Sequence, residues 1–139
     1  MSPIHDEYHD RFEDRLKHYV HLQVLEAAIA RDRLQISALK LGKVYDEWLE
    51  HISYRIHQDL VKLRRYILSH GEIIQIRQLK KTRIVEYQYN GYLFKMEFLN
   101  QMILAECEEL LRKYAGLYSN DKKQHRNMPA KSLKRNLKK

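Results

Sequence analysis

The chain has 139 residues, with 26 Lys and Arg against 18 Asp and Glu, and a single cysteine. That length supports a hydrophobic core without disulfide or metal staples, and a lone Cys107 argues against a disulfide framework or a Cys-based zinc site and fits a reducing, cytoplasmic setting. No stretch free of Asp, Glu, Lys and Arg exceeds eight residues, far short of the roughly 20 that span a bilayer, and MSPIHDEYHD lacks the apolar core of a secretory signal, so neither a transmembrane segment nor a signal peptide is expected.

Residues 5–41 read as a helix without internal Gly or Pro, with Phe12, Leu16, Tyr19, Val20, Val24, Ala27, Ala30, Leu34, Ala38 and Leu41 recurring every three or four positions. Asp6, Glu7 and Asp10 suit the positive end of its dipole. A helix of that length extends roughly 55 Å, against a diameter of roughly 35 Å for a globule of this size. It must break, most naturally around Arg31-Asp32-Arg33, or lay its protruding part on another chain. Its middle, YVHLQVLEAAIA (19–30), is apolar on more than one side and needs cover on two. A homodimer, helix on helix as in a coiled coil, supplies that cover more easily than one neighbouring helix and a small sheet.

Lys40 and Gly42 mark a helix end, with Gly42 expected in the left-handed conformation. A second helix follows over 43–69, its stripe formed by Val44, Trp48, Ile52, Ile56, Leu60, Leu63 and Ile67. Gly71 closes it, and the short connection makes the pair antiparallel.

Beyond Gly71 the period falls to two. EIIQIRQL (72–79), RIVEYQY (83–89) and a third run over 92–97 are β-branched and aromatic. Asn90-Gly91 between the last two signals a type I′ hairpin. A two-residue loop sets Tyr89 opposite Tyr92, Tyr87 opposite Phe94 and Val85 opposite Met96 on one face, with Glu86 opposite Lys95 and Gln88 opposite Leu93 on the other. An aromatic face backed by a charge pair, without interleaved Arg or Lys, is core that packs on helices rather than a platform for stacked bases.

A third helix over 98–115 aligns Leu99, Met102, Ile103, Cys107, Leu110 and Tyr114, with Gly116 as its cap. The expected architecture is α+β: a long N-terminal helical hairpin, a three-stranded antiparallel β-meander and a C-terminal helix in one domain over 1–118. Residues 119–139 then form a disordered basic tail.

The charge is a property of that tail. Residues 121–139 hold eight basic side chains against Asp121, a net of +7, whereas residues 1–120 are close to neutral at +1. A fold whose own surface binds duplex nucleic acid usually carries the basic face itself. The candidate sites for an anionic partner are Arg77, Lys80, Lys81 and Arg83 where the first two strands meet, and Lys122, Lys123, Arg126, Lys131, Lys134 and Arg135 in the tail. The first group reads as phosphate contacts of a hairpin tip or as a solvated turn that discourages edge pairing. In the tail, Leu133 and Leu137 are four apart among basic residues, a short amphipathic turn suited to an acidic surface, whether nucleic acid, anionic lipid or protein.

Among the eight histidines, His5, His9 and Glu13 share one side of the first helix. They sit at its terminus, without ligands converging from other helices. No metal or other cofactor is expected. There is no Gly-rich phosphate loop and no Gly-x-Ser-x-Gly. The expectation is a small non-catalytic regulatory or adaptor protein acting through self-association and partner binding, with nucleic-acid binding and a metal-dependent helical protein or enzyme as alternatives.

Overall fold

A computed structural model describes residues 6–117; the tail, its candidate residues Lys122, Lys123, Arg126, Lys131, Lys134 and Arg135, and the expected disorder there lie outside the described residues. Asp6 turns out to be the N-cap of the first helix, its side chain accepting from the backbone N–H groups of Tyr8 at 3.0 Å and His9 at 3.2 Å. A capping carboxylate satisfies amides that the first turn leaves unpaired. Helix α1 (Glu7–Ile36) therefore starts slightly later than the periodicity indicates and ends earlier.

Arg31, Asp32 and Arg33 lie within α1, so the expected break there is not found. Arg33 instead reaches across to α2 (Gly42–His70), its Nε and Nη2 donating to the two carboxylate oxygens of Asp46 at 2.7 and 3.1 Å. This paired contact lies beside the turn. The helix stops at Ile36, and Gly42 opens α2 without a positive φ. The glycine serves close approach: a Cβ at Gly42 would stand 2.3 Å from the Ile36 carbonyl oxygen.

Helix α2 passes into the sheet without a loop, since Gly71 both ends it and begins β1 (Gly71–Gln78). Strands β2 (Thr82–Tyr89) and β3 (Tyr92–Leu99) complete an antiparallel meander in the order β1-β2-β3, not closed into a barrel. The β2–β3 register is the expected one at every pair, from Tyr89 opposite Tyr92 to Val85 opposite Met96. Asn90 and Gly91 take φ values of 57° and 84°, as a type I′ turn requires. A bulge between Ile73 and Gln75 interrupts the β1–β2 ladder. Helix α3 (Asn100–Tyr114) follows β3 directly. It ends with Gly116 at φ 76° and the Leu117 N–H bonded back to the Arg112 carbonyl, a Schellman closure.

Two hydrophobic clusters meet along α1. Phe12, Leu16 and Val20 pack with Ile67, Val85, Tyr87 and Met96; Leu22, Leu25 and Ile29 pack with one side of α2 and with Ile103, Cys107 and Leu110 of α3. At 100° per residue these two sets lie on nearly opposite sides of α1. One chain thus covers α1 on two sides: the sheet shelters Phe12, Leu16 and Val20, and the other helices shelter Leu22, Leu25 and Ile29 on the opposite one, while Ala27 and Ala30 stay exposed. Apolar residues on two sides of α1 therefore do not by themselves require a second chain.

Candidate interaction surface

The expected stripes are longer than the elements that cover them. On α1, Phe12, Leu16 and Val20 are 0–1 % exposed, yet Leu34, which continues the same side, is 79 % exposed. Ala27 and Ala30 between them are exposed as well. On α2 the expected stripe residues Ile52, Ile56, Leu60 and Ile67 are buried, joined by Leu49, whereas Val44 and Trp48 at its start are 61 % and 49 % exposed. Leu39, Leu41 and Tyr45 complete an apolar end to the hairpin. The reason is reach: the sheet packs beside the start of α1 and the end of α2, leaving the opposite end to the Arg33–Asp46 bridge and the turn. Single exposed leucines are ordinary on a protein surface, whereas these apolar side chains are grouped at one end of the hairpin.

The basic candidates do not converge. Arg77 lies opposite Ile84 on the outward face of the sheet, and its guanidinium is 3.8 Å from the Glu86 carboxylate. Arg83 lies opposite Gln78 and Phe98, the parity of the packed face, and its Nε is buried with no hydrogen-bond partner. Lys80 and Lys81 occupy the exposed β1–β2 turn. Asn100 holds that turn to the head of α3, its side-chain amide donating to the Lys80 carbonyl and its backbone N–H to the Lys81 carbonyl. Two lysines are therefore presented together, while the two arginines point to opposite faces.

The aromatic run of the hairpin is core at its centre. Tyr87 is fully buried, and its ring lies 5.6 Å from Phe12 and 5.4 Å from Phe94. Its hydroxyl donates to Glu13 at 2.7 Å and accepts from His9 Nε2 at 2.9 Å. Burial, reinforced by Glu13, pushes the Tyr87 hydroxyl well above its ordinary range. His9 also stacks on Tyr89, with ring centroids 4.9 Å apart. His9 and Glu13 thus satisfy a buried phenol, and among the described residues no group of three or more His, Cys, Asp or Glu side chains is arranged to hold a metal ion. Cys107 is buried, its thiol pushed up to about 11 chiefly by desolvation, which makes it a poor nucleophile at neutral pH.

Sequence reasoning does not reveal a groove of about 530 Å³ bounded by α1, β3 and α3. Met96, Phe98 and Ile103 form its floor, with Leu99 and Met102 at the mouth, 47 % and 63 % exposed. Glu13, Glu97 and Glu106 line it together with Lys17 and His21. The His21 ring sits edge-on to Phe98 at 5.7 Å. Burial holds His21 below the usual imidazole range, and Glu106 opposes that shift. The available signal is the placement of Leu99 and Met102 in an apolar run that the packed helix cannot wholly bury.

Among the described residues no helix is long and apolar enough to cross a membrane. No curated protein and no solved structure matches the chain. One family model does match, that of the YhjD protein, over residues 9–119, taking in every strand and helix apart from the first two residues of α1. The chain belongs to the YhjD protein family.

Proposed function

We propose that this protein is a small cytoplasmic adaptor without catalytic activity, which self-associates through the open end of its helical hairpin. The observation that carries the reading is Leu34. It prolongs the side of α1 that Phe12, Leu16 and Val20 seal against the sheet, yet stands 79 % exposed. Ala27 and Ala30 leave room beside it for an approaching helix, and Leu41, Val44 and Trp48 expose further apolar side chains at the same end of the hairpin. Homodimer interfaces resemble a domain core cut in half, and an apolar helix stripe that outruns its own sheet is such a half. Bidentate pairing of Arg33 with Asp46 makes the end a firm surface rather than a frayed one. The buried thiol and single cysteine accord with a reducing compartment.

Light scattering on the full chain at micromolar concentration tests this. A dimer is expected, and Leu34→Lys combined with Trp48→Lys gives a monomer with unchanged far-UV circular dichroism. A wild-type chain that stays monomeric up to about 100 μM, an affinity weaker than roughly −5.5 kcal/mol, removes the proposal.

A further inference from the structure

We propose that the basic C-terminal segment of this same chain, residues 122–139, docks in the groove between α1, β3 and α3, with Leu133 and Leu137 as its apolar anchors. This surface is separate from the hairpin end and stands whether or not the chain dimerises. The groove joins an apolar floor to an acidic lining, with Glu13, Glu97 and Glu106 outnumbering Lys17. Its volume of about 530 Å³ exceeds the space a single side chain fills and falls within the roughly 300–1,000 Å³ typical of ligand sites.

The segment has the complementary chemistry. Leu133 and Leu137 are four residues apart, the spacing that puts two side chains on one side of a helical turn, and Lys131, Lys134, Arg135 and Lys138 flank them in sequence. An amphipathic turn laid into an apolar groove is a recurrent recognition mode. Methionines at the floor and mouth adapt to such an occupant without a preset shape, and the opposed charges fix its orientation more than its affinity.

The tether reaches. The described chain ends at Leu117, just past Gly116, whose left-handed φ of 76° turns it away from α3. Returning to the groove means travelling back along α3, which has 15 residues, about 22 Å long. The 16 residues from Leu117 to Leu133 span up to roughly 50 Å when extended. Linkage of this kind gives a local concentration of order mM, enough for an otherwise weak contact.

Methionine-methyl NMR of the full-length protein tests the proposal, because Met96 and Met102 belong to the groove and Met128 to the segment. In full-length L133E/L137E, the Met96 and Met102 signals are expected to move by resolved amounts. A synthetic peptide of residues 122–139 added to that variant is expected to return them towards wild type, and raising the salt concentration to weaken its effect. The Trp48 indole signal, which reports the hairpin end, is expected to stay put, so failure here is distinguishable from failure of self-association. Superimposable Met96 and Met102 signals in wild type and variant overturn the proposal. So do wild-type signals that move on dilution, which would assign the groove to the tail of a second copy.

Discussion

At the sheet end of the helical hairpin, Phe12, Leu16 and Val20 are sealed to within 1 % of full burial; further along the same side of α1, Leu34 is 79 % exposed. The residue types are alike and so is their spacing. What differs is the neighbour: β2 and β3 supply Val85, Tyr87 and Met96 at one end, and among the described residues no strand belongs to a buried cluster with Leu34 at the other. An apolar stripe is therefore a statement about a helix, whereas burial is a statement about what lies beside it. Where the two part company, an apolar side chain such as Leu34 is left exposed.

Truncation of an aromatic at each end should show the largest contrast. Phe12→Ala is expected to lower the unfolding free energy by about 3–5 kcal/mol, since its ring fills a closed space among Tyr66, Tyr87 and Tyr89. Trp48→Ala, measured by the same urea titration at a concentration where the chain is monomeric, is expected to change it by less than about 0.5 kcal/mol. Equal losses would erase the distinction between the two ends.

A finer cut at the sheet end removes one oxygen. Tyr87→Phe keeps the packing and leaves the Glu13 carboxylate and His9 Nε2 without their shared hydroxyl. A loss of about 1–3 kcal/mol in chemical denaturation is expected. Smaller again is Gly91→Ala. No atom lies within 4 Å of the added methyl, so only the left-handed backbone at φ 84° resists it, at about 1 kcal/mol; a modest fall in Tm measures it.

The smallest effect is electrostatic and belongs to the α1 face beside the groove. Burial is the largest influence on both His18 and His21 and lowers each below the ordinary histidine value of 6.5. The unfolded chain then takes up protons before the folded one, so stability declines as the pH falls from about 6.5 towards the lowered folded-state values. Urea midpoints at pH of about 7.5 and about 5.5 are expected to differ in that sense, with His21→Gln reducing the difference. At lower pH the Asp46 carboxyl, held below the usual carboxylate range by its hydrogen bond to Arg33, adds its own loss only as it protonates.

The hairpin was the most legible part of the chain, because the side-chain period of two and the positive-φ demands of Asn90-Gly91 are local constraints that leave one register. The three helices were legible for a similar reason, though their ends were not. Helix α1 was expected to run to 41 and stops at Ile36, since Gly42 acts through close contact with the Ile36 carbonyl rather than through its torsion angle. The basic turn was visible as composition, but the opposite facing of Arg77 and Arg83 follows from strand parity once the register is known. The groove left only a faint trace in the sequence.

By itself, then, the amino-acid order determined the number and type of elements, the meander, the β2–β3 pairing and the concentration of positive charge in the last 19 residues, all of which rest on near-neighbour geometry and simple counting. Only the tertiary structure decided that α1 is sheltered on opposite sides by its own sheet and helices, that its far end and the start of α2 are left open, and that β3 and α3 diverge around an acid-lined groove. Those outcomes depend on how far one element reaches along another, a length in space that no periodicity encodes.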